Sequence, residues 1–129
     1  MIQRFIELGE GYSDIYELLE TAKANKTRVH GLLSLQSEVD GRLVTSIGVI
    51  MKPTDPGEFQ AIYVCREGIP NPAEKPNKRS QLFQELSIEL EKKIIKVKVK
   101  PSNAFNEKIL YYQYLIGILR LNHIIPPMK

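Results

Sequence analysis

Two runs of strand-forming residues between Thr27 and Met51 flank an Asp40-Gly41 pair, which suits a two-residue hairpin turn with positive φ at both positions. Nothing else in the chain restricts the fold so tightly. If the turn sets the register, Val39 faces Arg42, and every side chain of the hairpin is thereby assigned to one of two faces. One face then carries Val29, Gly31, Leu33, Leu35, Val39, Val44 and Ile50, and the other His30, Leu32, Leu43, Ile47, Val49 and Met51. Away from the turn both faces are apolar. An antiparallel sheet with one wet face alternates more cleanly, so helices are expected over one face and at least partial cover over the other.

The remaining elements follow from punctuation and periodicity. Ile2 to Leu8 reads as a short strand ended by Gly9-Glu10-Gly11, a turn signal. Ser13 is placed to cap a helix running to about Asn25, in which Ile15, Leu18, Leu19 and Ala22 form one apolar stripe. Pro53 to Glu58 is a turn and Phe59 to Arg66 a strand; Glu67 to Asn77, with Pro70, Pro72 and Pro76, is expected to be a surface loop. Asn77 then caps a second helix whose Leu82, Phe83, Leu86 and Leu90 share a face, and Ile94 to Lys100 alternates as a strand with one side buried. Ser102 or Asn103 is expected to open a last helix ending near Asn122. With 129 residues, 43% apolar and 26% charged, the chain has material for one core. The expectation is a single α+β domain over residues 1–129, with a mostly antiparallel five-stranded sheet and three helices in the order β-α-β-β-β-α-β-α.

The last helix is unusual, because from Ile109 to Leu119 only Gln113 and Gly117 are neither apolar nor tyrosine. Arg120, Asn122, His123 and the Pro126-Pro127 pair cut that run below the ~18 to 20 apolar residues a membrane span needs. Two shields remain, the chain's own sheet and other elements in a well-packed monomer or a second copy of the chain, and a chain this small has little material to cover a whole helix. The expectation is a homodimer through this helix, with Tyr111, Tyr112, Leu115, Ile118 and Leu119 at the interface.

Charge is uneven. Residues 1–74 hold 11 acidic and 7 basic side chains, whereas residues 75–129 hold 4 acidic and 11 basic. Nucleic acid is a possible partner class on that asymmetry but not the favoured one, since no clustered basic face is legible. The single cysteine and the lack of an opening signal segment place the chain in a reducing cytoplasm by expectation. There is no phosphate-binding glycine loop, no Gly-x-Ser-x-Gly elbow and no zinc-spaced Cys/His cluster, so no cofactor is expected. Cys65 reads as a small buried hydrophobe, and His30 and His123 as non-catalytic. Lys96, Lys98 and Lys100 line one side of a strand in a row that could track phosphates, although lysines there chiefly block edge-to-edge association, which is the favoured reading.

The most site-like constellation surrounds the third long strand. Asp55 and Glu58 precede it, Arg66 and Glu67 follow, and Lys75, Lys78 and Arg79 gather at the start of a helix. Cations beside unsatisfied N–H groups at a helix N-terminus suit an anion. The expectation is a non-enzymatic binding or interaction module whose anion-accepting patch is Arg66, Lys75, Lys78 and Arg79, taking an anionic ligand or an acidic protein partner.

Two resemblances add to this reading. The run of helix, three antiparallel strands, helix and strand resembles, in topology, the core of PD-(D/E)xK nucleases. That likeness implies a Mg²⁺ site on Asp55 and Glu58, with Gln60 standing where such enzymes carry lysine. The stretches PTDPGEFQ at 53–60, CREGIP at 65–70, KPNKR at 75–79 and YYQYLIGILRLNHIIPPM at 111–128 resemble a family of short uncharacterised proteins from spore-forming Gram-positive bacteria. That family implies a cytoplasmic single domain and no particular activity.

Overall fold

The computed structural model describes residues 3–9, 12–53 and 60–125. In chain order the elements are β1 (Gln3–Leu8), α1 (Tyr12–Ala24), β2 (Val29–Val39), β3 (Arg42–Met51), β4 (Gln60–Pro70), α2 (Lys78–Leu90), β5 (Ile94–Lys98) and α3 (Lys108–Leu121), with single 3₁₀ turns at Lys26–Arg28 and Ser102–Ala104. The strands form one sheet in the order β1-β4-β3-β2-β5. The class is α+β with three helices, but the sheet is mixed rather than mostly antiparallel. The two inner pairings, β4 with β3 and β3 with β2, are antiparallel. Both outer strands run parallel to their neighbours, β1 beside β4 and β5 beside β2.

Asp40 and Gly41 have φ of 52° and 78°, the geometry of a tight turn matched to strand twist. Val39 pairs with Arg42, and the register holds back to Gly31 opposite Ile50. A bulge between Val29 and Gly31 then changes the phase. Val29 therefore joins the core on the Leu32 face, not the Leu33 face where strict alternation puts it.

Both faces of the hairpin are covered. Ile15, Leu18, Leu19 and Ala22 of α1 and Phe83 and Leu86 of α2 pack over Leu32, Ile47, Val49 and Cys65. On the opposite face Tyr111, Leu115 and Leu119 of α3 pack over Leu33, Leu35, Ile50 and Ile62. Those three α3 side chains are at most 1% exposed. Of the five residues expected at an interface, Tyr111, Leu115 and Leu119 are buried against the chain's own sheet, and Tyr112 and Ile118 are half-buried. The outward apolar residues of α3 are Ile109, Leu110 and Leu121, at 60%, 44% and 78% exposure, so this chain alone does not shield the helix all round.

Several boundaries also differ from the sequence reading: α1 already contains Ser13, the residue expected to cap it, and β5 ends at Lys98 rather than Lys100. β4 continues to Pro70 because Ile47 faces Cys65 while Thr45 faces Ile69. Residues 66–68 thus span a step normally filled by one residue, after which the fully buried Ile69 rejoins the ladder. The last helix begins at Lys108, not at Ser102. Phe105 is extended (φ −119°, ψ 142°) and its ring lies 5.7 Å from Tyr111 and 5.1 Å from Tyr114, so the helix is anchored by an aromatic contact from outside its first turn.

Gly48 sits in β3 between β2 and β4, where an added Cβ would stand 3.0 Å from the Tyr63 carbonyl oxygen. A paired backbone cannot give way cheaply. Gly48→Ala is expected to lower unfolding stability by ~1 to 3 kcal/mol, measured as a shift of the urea midpoint at unchanged slope.

Candidate functional site

On the face beneath α1 and α2 the sheet is apolar at one end and polar at the other. Ser34 stands between Ile47 and Lys96, and Gln36 between Thr45 and Lys98, in cross-strand register. These side chains share one face because the period of a strand is two residues. α2 begins above them.

The start of α2 is built by two asparagines. Asn71 Oδ1 accepts from the Ala73 N–H at 2.9 Å, and its carbonyl accepts from the Lys75 N–H at 2.8 Å. Asn77 Oδ1 caps the helix by accepting from the Ser80 N–H at 2.9 Å, the role expected of it. Its Nδ2 also donates to the Pro70 carbonyl at 2.8 Å. The proline-containing segment after β4 is therefore a tied turn that aims the helix at the polar end of the sheet.

Between α2 and the sheet lies a cleft of about 90 Å³, lined by Ser34, Thr45 and Lys96 from the strands and Ser80 and Gln84 from α2. Ile47, Phe83 and Ile94 supply its apolar part. Thr45 is only 2% exposed, and its hydroxyl has no hydrogen-bond partner among the described residues. A buried hydroxyl left unpaired costs ~1 to 3 kcal/mol. An outer groove of about 410 Å³ adjoins the cleft, sharing Pro72, Ser80 and Gln84 and adding Pro76, Asn77, Lys78 and Gln81. Neither concavity is lined by a carboxylate. The first turn of α2 likewise holds no acidic residue, although carboxylates are the favoured side chains at the positive end of a helix.

The expected anion patch is distributed over several places. Lys78 lines the outer groove, while Lys75 lines a separate concavity with Arg42, Leu43 and Glu74. Arg79 is half-buried in the first turn of α2; the Arg66 side chain lies outside the described residues. Asp55 and Glu58 also lie outside them, and no group of three or more His, Cys, Asp or Glu able to hold a metal occurs among those described. Gln60, at the position where the nuclease likeness looks for lysine, is a buried amide whose Oε1 accepts from Gln3 Nε2 at 3.2 Å. Arg120 in turn donates to Gln3 Oε1, at 3.1 Å from Nε.

A wider open groove of about 590 Å³ runs between β1 and α3 over Phe5, Tyr112 and Ile116. Arg4, Lys108, Gln113 and Gln3 also line it; Gln3 is engaged by Gln60 and Arg120, and Lys108 pairs with Glu7. Thr45, Ser34, Ser80 and Gln84 were missing from the sequence-level site. The available signal was weak: Ser34 and Thr45 fall on one face of the hairpin, but Gln36, Ser37, Glu38 and Ser46 are equally polar neighbours in the same strands.

His30 Nε2 lies 3.2 Å from the Ile124 carbonyl, an exposed contact joining β2 to the segment after α3. Cys65 is buried, and burial, with the Asp14 and Glu17 carboxylates adding to it, pushes its thiol up to about 12. It stays protonated and unreactive at neutral pH.

These features define a two-faced α+β domain with a small hydroxyl-lined cleft at the start of one helix. The chain belongs to the family described as Domain of unknown function (DUF7147), whose model matches residues 1–125. No curated protein and no solved structure matches it. None of the described helices is long and apolar enough to cross a membrane.

Between the ordinary thiol value of 9.0 and about 12, an unfolded chain releases the Cys65 proton that the native chain keeps. Stability therefore falls as pH rises through that window. Urea melts at about pH 8 and about pH 10 are expected to show a smaller alkaline loss for Cys65→Ala than for the wild type.

Proposed function

We propose that this protein is a binding module that accepts a small oxyanion in the cleft beneath the first turn of α2. The observation that carries the reading is the Thr45 hydroxyl, 98% buried by its 2% exposure and without a hydrogen-bond partner among the described residues. A hydroxyl donates to an anion as readily as to water, and the bond is stronger when the acceptor is charged. Ser34, Ser80, Gln84 and Lys96 surround the same space, each able to donate. Lys78 lines the adjoining outer groove, and the helix start adds its positive end without a carboxylate in its first turn to compete.

The lining favours binding over catalysis. Hydroxyls, an amide and an ammonium orient an anion, but the cleft is lined by no histidine or carboxylate to move a proton near neutral pH. The α2 start is common ground with the anion patch expected from sequence, with Lys78 retained and Thr45 and Lys96 added.

Thr45→Val separates this reading from a purely structural hydroxyl. The side chains have nearly the same shape, so removing an unpaired buried hydroxyl is expected to raise unfolding stability by about 1 kcal/mol. The same change is expected to weaken orthophosphate binding by about tenfold or more, the loss of one hydrogen bond to a charged group. Amide-shift titrations and urea melts of both proteins measure the two effects. Unchanged phosphate affinity in a folded Thr45→Val protein contradicts the proposal.

A further inference from the structure

Resting on the oxyanion reading above, we infer that the ligand is a small phosphomonoester, held with its phosphate in the inner cleft and its polar organic arm along the outer groove. Three observations lead there. The first is size. At about 90 Å³ the inner cleft is under a quarter of the outer groove's about 410 Å³, so the compact anionic end suits the cleft and an organic arm the groove.

The second is the placement of donors. Ser34, Thr45 and Lys96 stand on the sheet wall and Ser80 and Gln84 on the helix wall, so donors approach from two opposed sides. A planar carboxylate offers its two oxygens in one plane. A tetrahedral group offers three oxygens in a cone, which donors on two walls can satisfy together.

The third is the way out. The inner cleft and the outer groove share Pro72, Ser80 and Gln84, so a substituent leaving the anion in that direction enters a space of about 410 Å³. Pro72 and Pro76 give the groove rigid apolar walls, and Asn77, Gln81 and Gln84 place amides along it. Amides both donate and accept, so they suit an uncharged arm bearing hydroxyls or a base edge. Lys96 within and Lys78 outside face a dianion from two directions, and with no carboxylate in either lining a cationic arm has no counterpart.

The test titrates the full chain with orthophosphate, glycerol 3-phosphate and adenosine 5′-monophosphate, following backbone amide shifts. Both esters place a hydroxylated arm beside the phosphate, and the tighter of the two identifies the arm as a small polyol or a nucleoside. At least one ester is expected to bind about tenfold or more tightly than orthophosphate, shifting the amides of residues 76–81 in addition to those of Ser34 and Thr45. Gln81→Ala, an exposed helix substitution, is expected to erase most of that gain and leave orthophosphate affinity as it was. Saturable orthophosphate binding with no gain for either ester overturns the inference and leaves the oxyanion reading standing. No saturable shift with any of the three overturns both. A gain that survives Gln81→Ala with no shift at residues 76–81 places the arm elsewhere and overturns the inference.

Discussion

The β2–β3 hairpin has to be buried twice, and the rest of the molecule is the answer to that requirement. Leu32, Ile47 and Val49 point to one side, Leu33, Leu35 and Ile50 to the other, and all are at most 2% exposed. At ~25 cal/mol per Å² of apolar surface, neither face can be left wet in a domain whose net stability is only ~5 to 15 kcal/mol. Helices α1 and α2 close one face and α3 the other. The outer strands β1 and β5, parallel to their neighbours, widen the platform on which those helices rest. β5 is also the edge that carries Lys96 and Lys98, as edge strands commonly do to discourage sheet-to-sheet pairing.

The apolar cover of the α2-facing surface is interrupted by polar side chains that are themselves buried, Ser34 and Thr45 among them. Near the turn end of the α2-facing surface the apolar rows give way to Ser34, Gln36 and Thr45, under a helix start held in place by Asn71 and Asn77. A valine at position 45 would satisfy packing at no polar cost. The threonine instead leaves a hydroxyl with no partner among the described residues, in a cleft lined by no carboxylate. Stability given up locally is the usual mark of a site that meets its partner from outside the chain.

Local physics made much of this legible in sequence. Asp40-Gly41 fixed the hairpin register because positive φ at consecutive residues is a short-range property. The Ile15, Leu18, Leu19, Ala22 stripe identified α1 for the same kind of reason, as did the Asn77 side chain for the start of α2. Features set by tertiary contacts were not legible. Nothing local marks β1 and β5 as parallel, since direction depends on where the chain crosses. The bulge at residues 66–68 and the late start of α3 were hidden because Ile69 and Phe105 obtain their places from distant partners. For the site, charge drew attention to Lys75 and Lys78, which line different concavities. The neutral hydroxyls that converge come from strands and a helix far apart in sequence, and only the pairing of Gln36 with Thr45 and of Ser34 with Lys96 brings them together.

The central claim is that an anion, and not solvent, completes the Thr45 hydroxyl. Crystals grown in selenate, a tetrahedral oxyanion with an anomalous signal, locate that anion directly. The account predicts an anomalous peak between Thr45 and Ser80, with a selenate oxygen ~2.5 to 3.0 Å from Thr45 Oγ1. A cleft holding only water bonded to Thr45, with no anomalous peak there, contradicts it.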